Sequence, residues 1–466
     1  MILFLLAVFA LILGYVFYAK FVEKIFQIDE TRKTPAIKYN DSVDFVPMPA
    51  WRIFLVQFLN IAGLGPVFGA ILGAVYGPVC LLWIVFGCIF AGGVHDYLSG
   101  MLSTRYRGET IIFIAQKLFG KHFKTVFLIF FLSLLLLLGT VFAINPAKML
   151  ANLSNSPLPI WICIIFGYYL LATLFPVDKI IGKLYPYFAA LLILMTTSIM
   201  IVLFKSGAEF YPNLTTLNQH HLGESIFPFL FITVACGAIS GFHATQSPIM
   251  ARCLTNEKQG RTIFYGAMVL EGIIALIWAT LGIAYYENSG SLLNSINTLG
   301  QGGVISAIST GMLGKIGGML TVLSIVVLSI TSGDTAFRSI RITVADFLNL
   351  DQQKLKNRLI LSTIILSCGI LLSRLNLTTL WQYFGFANQA LSSLVLWVLT
   401  YYLMQKRKIY VITLIPAMFM TSVCVSYILQ VKIGFNMNSN IANILSFIFV
   451  LLLLIIFFVR MKIWKN

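Results

Sequence analysis

Apolar runs of 18 or more residues recur along this 466-residue chain, and they constrain its fold more than any other feature. Such a run crosses a bilayer as a helix, because a helix pairs every backbone N–H and C=O within the segment. A β-barrel would show ten-residue segments of alternating polarity instead, and the sequence contains no such series. Only 10% of residues are charged and the mean hydropathy is +0.91, too few charges to cover a soluble domain of this size. An all-α polytopic membrane protein is expected, with the lipid bilayer as its standing partner.

Proline, glycine and charged clusters divide the chain into about thirteen transmembrane helices. Their expected ranges are 2–21, 53–76, 79–102, 123–144, 158–175, 184–204, 226–250, 263–286, 316–337, 359–373, 380–404, 409–429 and 441–459. Charge checks the count independently. Taking loops alternately, one set holds 27 of the 32 Lys and Arg residues; the other holds Lys148, Lys205, Lys315, Arg374 and Lys432. A helix missed or invented in mid-chain would mix the two sets. The positive-inside rule then places the N-terminus outside and the C-terminus in the cytoplasm.

The net charge of +16 fits basic loops facing an acidic leaflet. No basic segment is interleaved with stacking aromatics, so nucleic acid is not an expected partner. The seven cysteines lie in or beside apolar segments and form no CxxC, which gives no expectation of a metal site or a disulfide framework. The N-terminus lacks a basic n-region and a small-residue cleavage site, and reads as an uncleaved first helix. GxSxG, HExxH and a P-loop are all absent. An enzyme and an ATP-driven pump are therefore not expected, nor is a cofactor, and transport energy would come from an ion gradient.

Two spans are interrupted. The second carries Gly63, Gly65 and Pro66 in its middle; the seventh carries Gly237, Ser240, Gly241 and Pro248. Glycine removes the side chain, and proline removes a donor and clashes with the preceding turn. Unwound backbone is tolerated at membrane depth only where protein buries it or a polar cavity meets it. One break alone reads as helix packing. The spacing adds information: the broken spans stand five helices apart, so ten helices divide into two sets of five, each opening with a broken helix. An odd number per repeat inverts one against the other. Half-helix N-termini at the breaks would attract a carboxylate.

Few polar groups interrupt the spans. His95 and Asp96 lie at the cytoplasmic end of the third, suited to gating or proton handling, or to an interfacial pair. His243 follows the seventh-helix break and could touch substrate or titrate near neutrality. Glu271 sits mid-helix, as a proton carrier or a structural hydrogen-bond partner. Asp334, near Thr331 and other hydroxyls, could hold a cation or pass a proton, or could belong to a packing cluster. Asn388 and Gln389 form an amide pair of the kind that bridges helices.

Several stretches together resemble the carbon starvation protein A (CstA) family over residues 20–430. They are DETRKTPAIKYNDSVDFVP, IAGLGPVFGAILG, FAGGVHD, FPFLFITVACGAISGFHATQS, NEKQGRTIFYGAMVLE, TSGDTAFRSIRITVADFL and LWQYFGFANQAL. The resemblance implies a LeuT-like carrier of the amino acid–polyamine–organocation type that takes up peptides or pyruvate, with protons as the coupling ion and sodium still open. Gly63, Gly65, Pro66, Asp96, Ser240, Gly241, His243, Glu271, Asp334, Asn388 and Gln389 fall on matching motif positions. The chain departs from the family in three places. Residues 287–315 form a short external segment where longer members carry a large insertion. TQSPIMARC follows GFHA, and His95 replaces a glutamine of some members.

The expected organisation is a peripheral helix at 1–21, a cytoplasmic loop at 22–52, repeats at 53–204 and 226–404, and two accessory helices at 405–466. The expected site joins Gly63, Gly65, Pro66, Ser240, Gly241 and His243 on the substrate, with Asp334, Thr331, Glu271, Asp96 and His95 handling the ion. Asp334 is expected against the first broken helix. A bacterial inner membrane is the expected location, and the oligomeric state stays open. A nutrient sensor that binds solute without net flux is the rival reading; the chain shows no sizeable soluble domain to carry a signal.

Overall fold

The computed structural model describes residues 2–463 apart from 42–43, 174–176, 208–215 and 353. The turn expected between the fifth and sixth spans falls partly on 174–176, outside the described residues. All regular structure among the described residues is helical. Among the described residues, nine helices are long and apolar enough to cross a membrane: Ile2–Phe26, Val79–Arg105, Phe127–Ser154, Tyr185–Ser206, Glu257–Tyr286, Ser289–Leu348, Leu355–Leu372, Val411–Gln430 and Ser439–Val459. A bent pair, Ala50–Ile61 and Gly65–Ala74, makes a further crossing with 55° between its halves. Helices also occupy the remaining expected ranges, at Leu158–Ala172, at 226–251 with an interruption, and at Leu377–Gln405.

We name the helices that position the site. α1 is Ile2–Phe26, α2 Ala50–Ile61, α3 Gly65–Ala74 and α4 Val79–Arg105. α5 is Lys121–Ser154, α6 Leu158–Ala172 and α7 Val177–Ser206. The second interrupted span gives α8 (226–233) and α9, His243–Ala251. α10 is Glu257–Tyr286, α11 Ser289–Leu348, α12 Leu377–Gln405 and α13 Val411–Gln430.

Burial sorts these helices by role. α10 is buried along most of its length, while α1 and the last helix turn isoleucine, leucine and phenylalanine outward, as lipid-facing helices do. Lipid is as apolar as the core, so close packing and polar bridges hold such helices together.

The stretch 287–315, expected as a short external segment, is largely helical. The Asn288 side chain accepts the Ser291 N–H at 2.8 Å and starts α11. Non-helical backbone at Gly300 and Gly314, both at φ +69°, breaks the stretch into separate helices joined at kinks. Leu292, Ile296, Val304, Ile305 and Ile308 are buried along this segment, so its apolar face is narrower than that of a spanning helix. The signal that finds spanning helices misses such a face.

Candidate functional site: two helix breaks and a buried carboxylate–imidazole chain

The two breaks meet. The first occupies residues 62–64, the second 234–242. A Cβ added at Gly65 would collide with the Cys236 side chain. That contact explains glycine at 65, since any side chain would push the breaks apart. Gly237 has φ +88°, a left-handed backbone that only glycine adopts without strain. Its N–H donates to Glu271 Oε1 at 3.1 Å, so a carboxylate of α10 anchors the unwound strand. α3 begins at Gly65 and α9 at His243, each directly after its break. Both N-termini leave backbone N–H groups and a positive dipole end at the junction.

A continuous chain of side chains runs from the second break into α4. His243 Nε2 faces Glu271 Oε2 at 3.4 Å, and His243 Nδ1 lies 2.8 Å from Asp96 Oδ2. Asp96 Oδ1 lies 2.8 Å from His95 Nδ1. All four side chains have no exposed surface. The sequence placed these residues in three separate spans; the fold brings them into one network.

Asn388 joins α12 to the second break. Its Oδ1 accepts the Ser240 hydroxyl at 3.1 Å and the Phe242 N–H at 2.8 Å, and its carbonyl accepts the Gly241 N–H at 3.2 Å. Gln389 donates to the Phe231 carbonyl at 3.0 Å. Gly63 lies against Phe142 and Ser332, and Pro66 is buried within the turn that opens α3.

Asp334 stands elsewhere. Tyr185 donates to its Oδ2 at 3.0 Å, and Arg338 lies 3.9 Å from the same atom. Thr331 shares this face: its carbonyl is 3.4 Å from the Tyr185 hydroxyl, while its own hydroxyl donates to Leu328. Against the first broken helix sits Ser332, which donates to the Leu59 carbonyl at 3.4 Å. The reason is helical geometry. Residues three apart share a face, whereas residues two apart point about 200° from one another. Asp334 therefore faces α6 and α7, and its neighbour Ser332 faces the break.

Three further residues belong to the junction. Gln57 and Asn60 of α2 are fully buried, and their amide groups have no hydrogen-bond partner among the described residues. The sequence did carry a signal for them, two amides three apart in an apolar run just before the Gly63 break. Cys236 is the third, its Sγ 3.6 Å from Ser240 Oγ. Nothing in the sequence separates it from the other buried cysteines.

The family described as "Carbon starvation protein CstA" matches residues 1–159, 144–289 and 285–427. The chain belongs to the CstA family. Among CstA relatives, a protein of Haemophilus influenzae described as an uncharacterized membrane protein is 44% identical over 350 residues, covering 64% of this chain and 94% of that one. The peptide transporter CstA of Campylobacter jejuni is 27% identical over 572 residues, 94% of this chain and 81% of its own. The pyruvate/proton symporter BtsT of Escherichia coli is 26% identical over 337 residues, 57% of this chain and 46% of BtsT. Two solved structures share the fold. MhsT in complex with L-phenylalanine superposes with a TM-score of 0.60 at 14% identity, covering 87% of this chain and 98% of MhsT. A variant of the Eremococcus coleocola manganese transporter gives 0.57 at 12% identity, covering 91% and 98%. The chain thus has the LeuT-like fold, with its two discontinuous helices at α2–α3 and α8–α9.

Proposed function

We propose that this CstA protein is a secondary carrier that imports a small carboxylate nutrient, a short peptide or pyruvate, by alternating access coupled to protons. The observation that carries the reading is the sealed chain His95–Asp96–His243–Glu271 beside the break. Two carboxylates buried with no exposed surface need their charge balanced. Within this set of four side chains the balancing groups are the two imidazoles, so every neutral arrangement holds protons. One carboxylate also anchors the Gly237 N–H, which links proton occupancy to the backbone of the break. The names of the relatives, peptide transporter and pyruvate/proton symporter, support both the solute class and the ion.

In this reading the N-termini of α3 and α9 hold the solute carboxylate, at Gly63, Gly65 and Pro66 on one side and Ser240, Gly241 and His243 on the other. Asp96, His95 and Glu271 carry the coupling proton. Asp334 with Thr331 forms a second coupling group, held by Tyr185 and Arg338. Residues 53–204 and 226–404 are the two repeats that rock against each other, flanked by peripheral helices at 1–21 and 405–466. The protein acts without covalent chemistry, in the bacterial inner membrane, with the N-terminus outside and the lysine-rich loops in the cytoplasm.

The test is uptake of labelled pyruvate and labelled dialanine into proteoliposomes under an imposed inward proton gradient. Saturable, gradient-dependent accumulation of one solute is expected. Binding of both with accumulation of neither, in tight vesicles, would favour a sensor instead.

A further inference from the structure

A cavity of about 280 Å³ opens between the two broken helices on the lysine-poor side. Tyr76, just past α3, and Phe229 of α8 form two of its walls; Trp381 of α12 and Tyr427 of α13 form others. His220 and Glu224 reach it from the loop that leads into α8. Thr233 lines its floor and directly precedes the unwound segment at 234, so the cavity adjoins the break.

Its chemistry is one-sided. Glu224 is the carboxylate of the cavity, and no lysine or arginine lines it among the described residues. Glu224 Oε2 accepts a hydrogen bond from the Tyr76 hydroxyl and stands 3.6 Å from His220 Nε2. His220 Nδ1 accepts the Glu224 N–H at 3.3 Å, and its ring leans on Tyr76 with centroids 4.7 Å apart. Burial holds the His220 pKa below its ordinary value, so at neutral pH the imidazole adds no positive charge to the cavity. The Glu224 side chain is 43% exposed and lines the cavity. The aromatic walls are braced: Phe229 packs on Tyr427 at 5.8 Å, and Trp381 on Phe68 at 5.9 Å and on Phe384 at 5.5 Å. Aromatic faces around a carboxylate attract an organic cation and repel an anion.

We infer that this cavity is a recognition site for a primary ammonium group, with Glu224 as its charge partner and Tyr76, Trp381 and Tyr427 as its aromatic walls. The inference rests on the carrier reading above and sharpens it, since pyruvate carries no amine.

Isothermal titration of the purified full chain in detergent tests it, with dialanine, N-acetyl-dialanine and pyruvate as probes. Dialanine should bind at least 10-fold more tightly than its N-acetyl form. Glu224→Gln should erase that preference and Glu224→Asp should keep its sign. Trp381→Leu, checked for an unchanged melting midpoint, should weaken dialanine more than N-acetyl-dialanine. Equal affinity for the two dialanine forms, a preference that survives Glu224→Gln, or binding of pyruvate alone would each overturn the site. Equilibrium binding is independent of flux. Loss of the amine preference with gradient-driven pyruvate uptake intact removes the ammonium site and leaves the carrier; a preference without uptake of either solute does the reverse.

Discussion

His243 Nδ1 lies 2.8 Å from Asp96 Oδ2, which ties the residue that opens α9 to the body of α4. Glu271 approaches the other ring nitrogen at 3.4 Å and also holds the Gly237 N–H. The imidazole is therefore shared between two carboxylates, one on α4 and one on α10. Asp96→Asn and Glu271→Gln should each lower proton-driven accumulation at least 10-fold. Solute exchange across vesicles without a gradient should survive. Equal loss of both activities would mean that the carboxylates serve folding or binding and not coupling.

Asp334→Asn should remove gradient-driven accumulation and leave binding in place. Tyr185→Phe, which deletes one hydrogen bond to the same carboxylate, should act in the same direction but more weakly. Full accumulation by Asp334→Asn rejects a coupling role for this group.

Gly65→Ala should destabilise the protein by about 1–3 kcal/mol, the usual cost of forcing an extra carbon into a packed core. Its Cβ would meet Cys236. Cys236→Gly should recover part of that loss, and a double-mutant cycle on thermal midpoints reads the coupling. Additive losses would show that the two positions do not press on each other.

Asn388→Ala leaves the Ser240 hydroxyl and the Phe242 N–H without their buried acceptor. Each orphaned donor costs about 1–3 kcal/mol, so the melting midpoint in detergent should fall clearly. Asn388→Asp keeps an acceptor at this position and should fall less. The reverse order would argue that the amide nitrogen matters more than Oδ1.

Lys408, in the turn between α12 and α13, has its pKa lowered to about 8, first by burial and then by Arg105 and Lys406. Its ammonium donates to the Phe26 carbonyl, which Arg105 also approaches. The unfolded chain holds its lysine proton to about 10.5. Between about 8 and 10.5 it binds more protons than the fold does, and stability should rise with pH over that window. Below about 8 the fold bears the whole cost of the cation. Thermal midpoints taken from pH 7.5 to 10 should rise in the wild type relative to Lys408→Met. Parallel curves would rule this out.

The helices and breaks were legible because they depend on local chemistry. Runs of leucine and isoleucine need no partner to be read as spans, and Gly63, Gly65 and Pro66 disrupt a helix wherever it packs. Contacts are another matter. Asp96, His243 and Glu271 are separated by 147 and 28 positions in the chain, and no periodicity within one helix shows that they touch. Asp334 was expected against the first break; only the packed rotation of α11 shows that Ser332 takes that place.

The contact of Gly65 with Cys236 also has a mechanical meaning. α3 presses on the same segment at two further glycines: a Cβ at Gly69 would meet the Thr233 carbonyl and one at Gly73 would meet Val234. Residues four apart share one face of a helix, so Gly65, Gly69 and Gly73 form a single smooth seam along which the backbones come close. A seam held at three points resists hinging at any one of them, so α3 and residues 233–236 would travel together when the repeats rock.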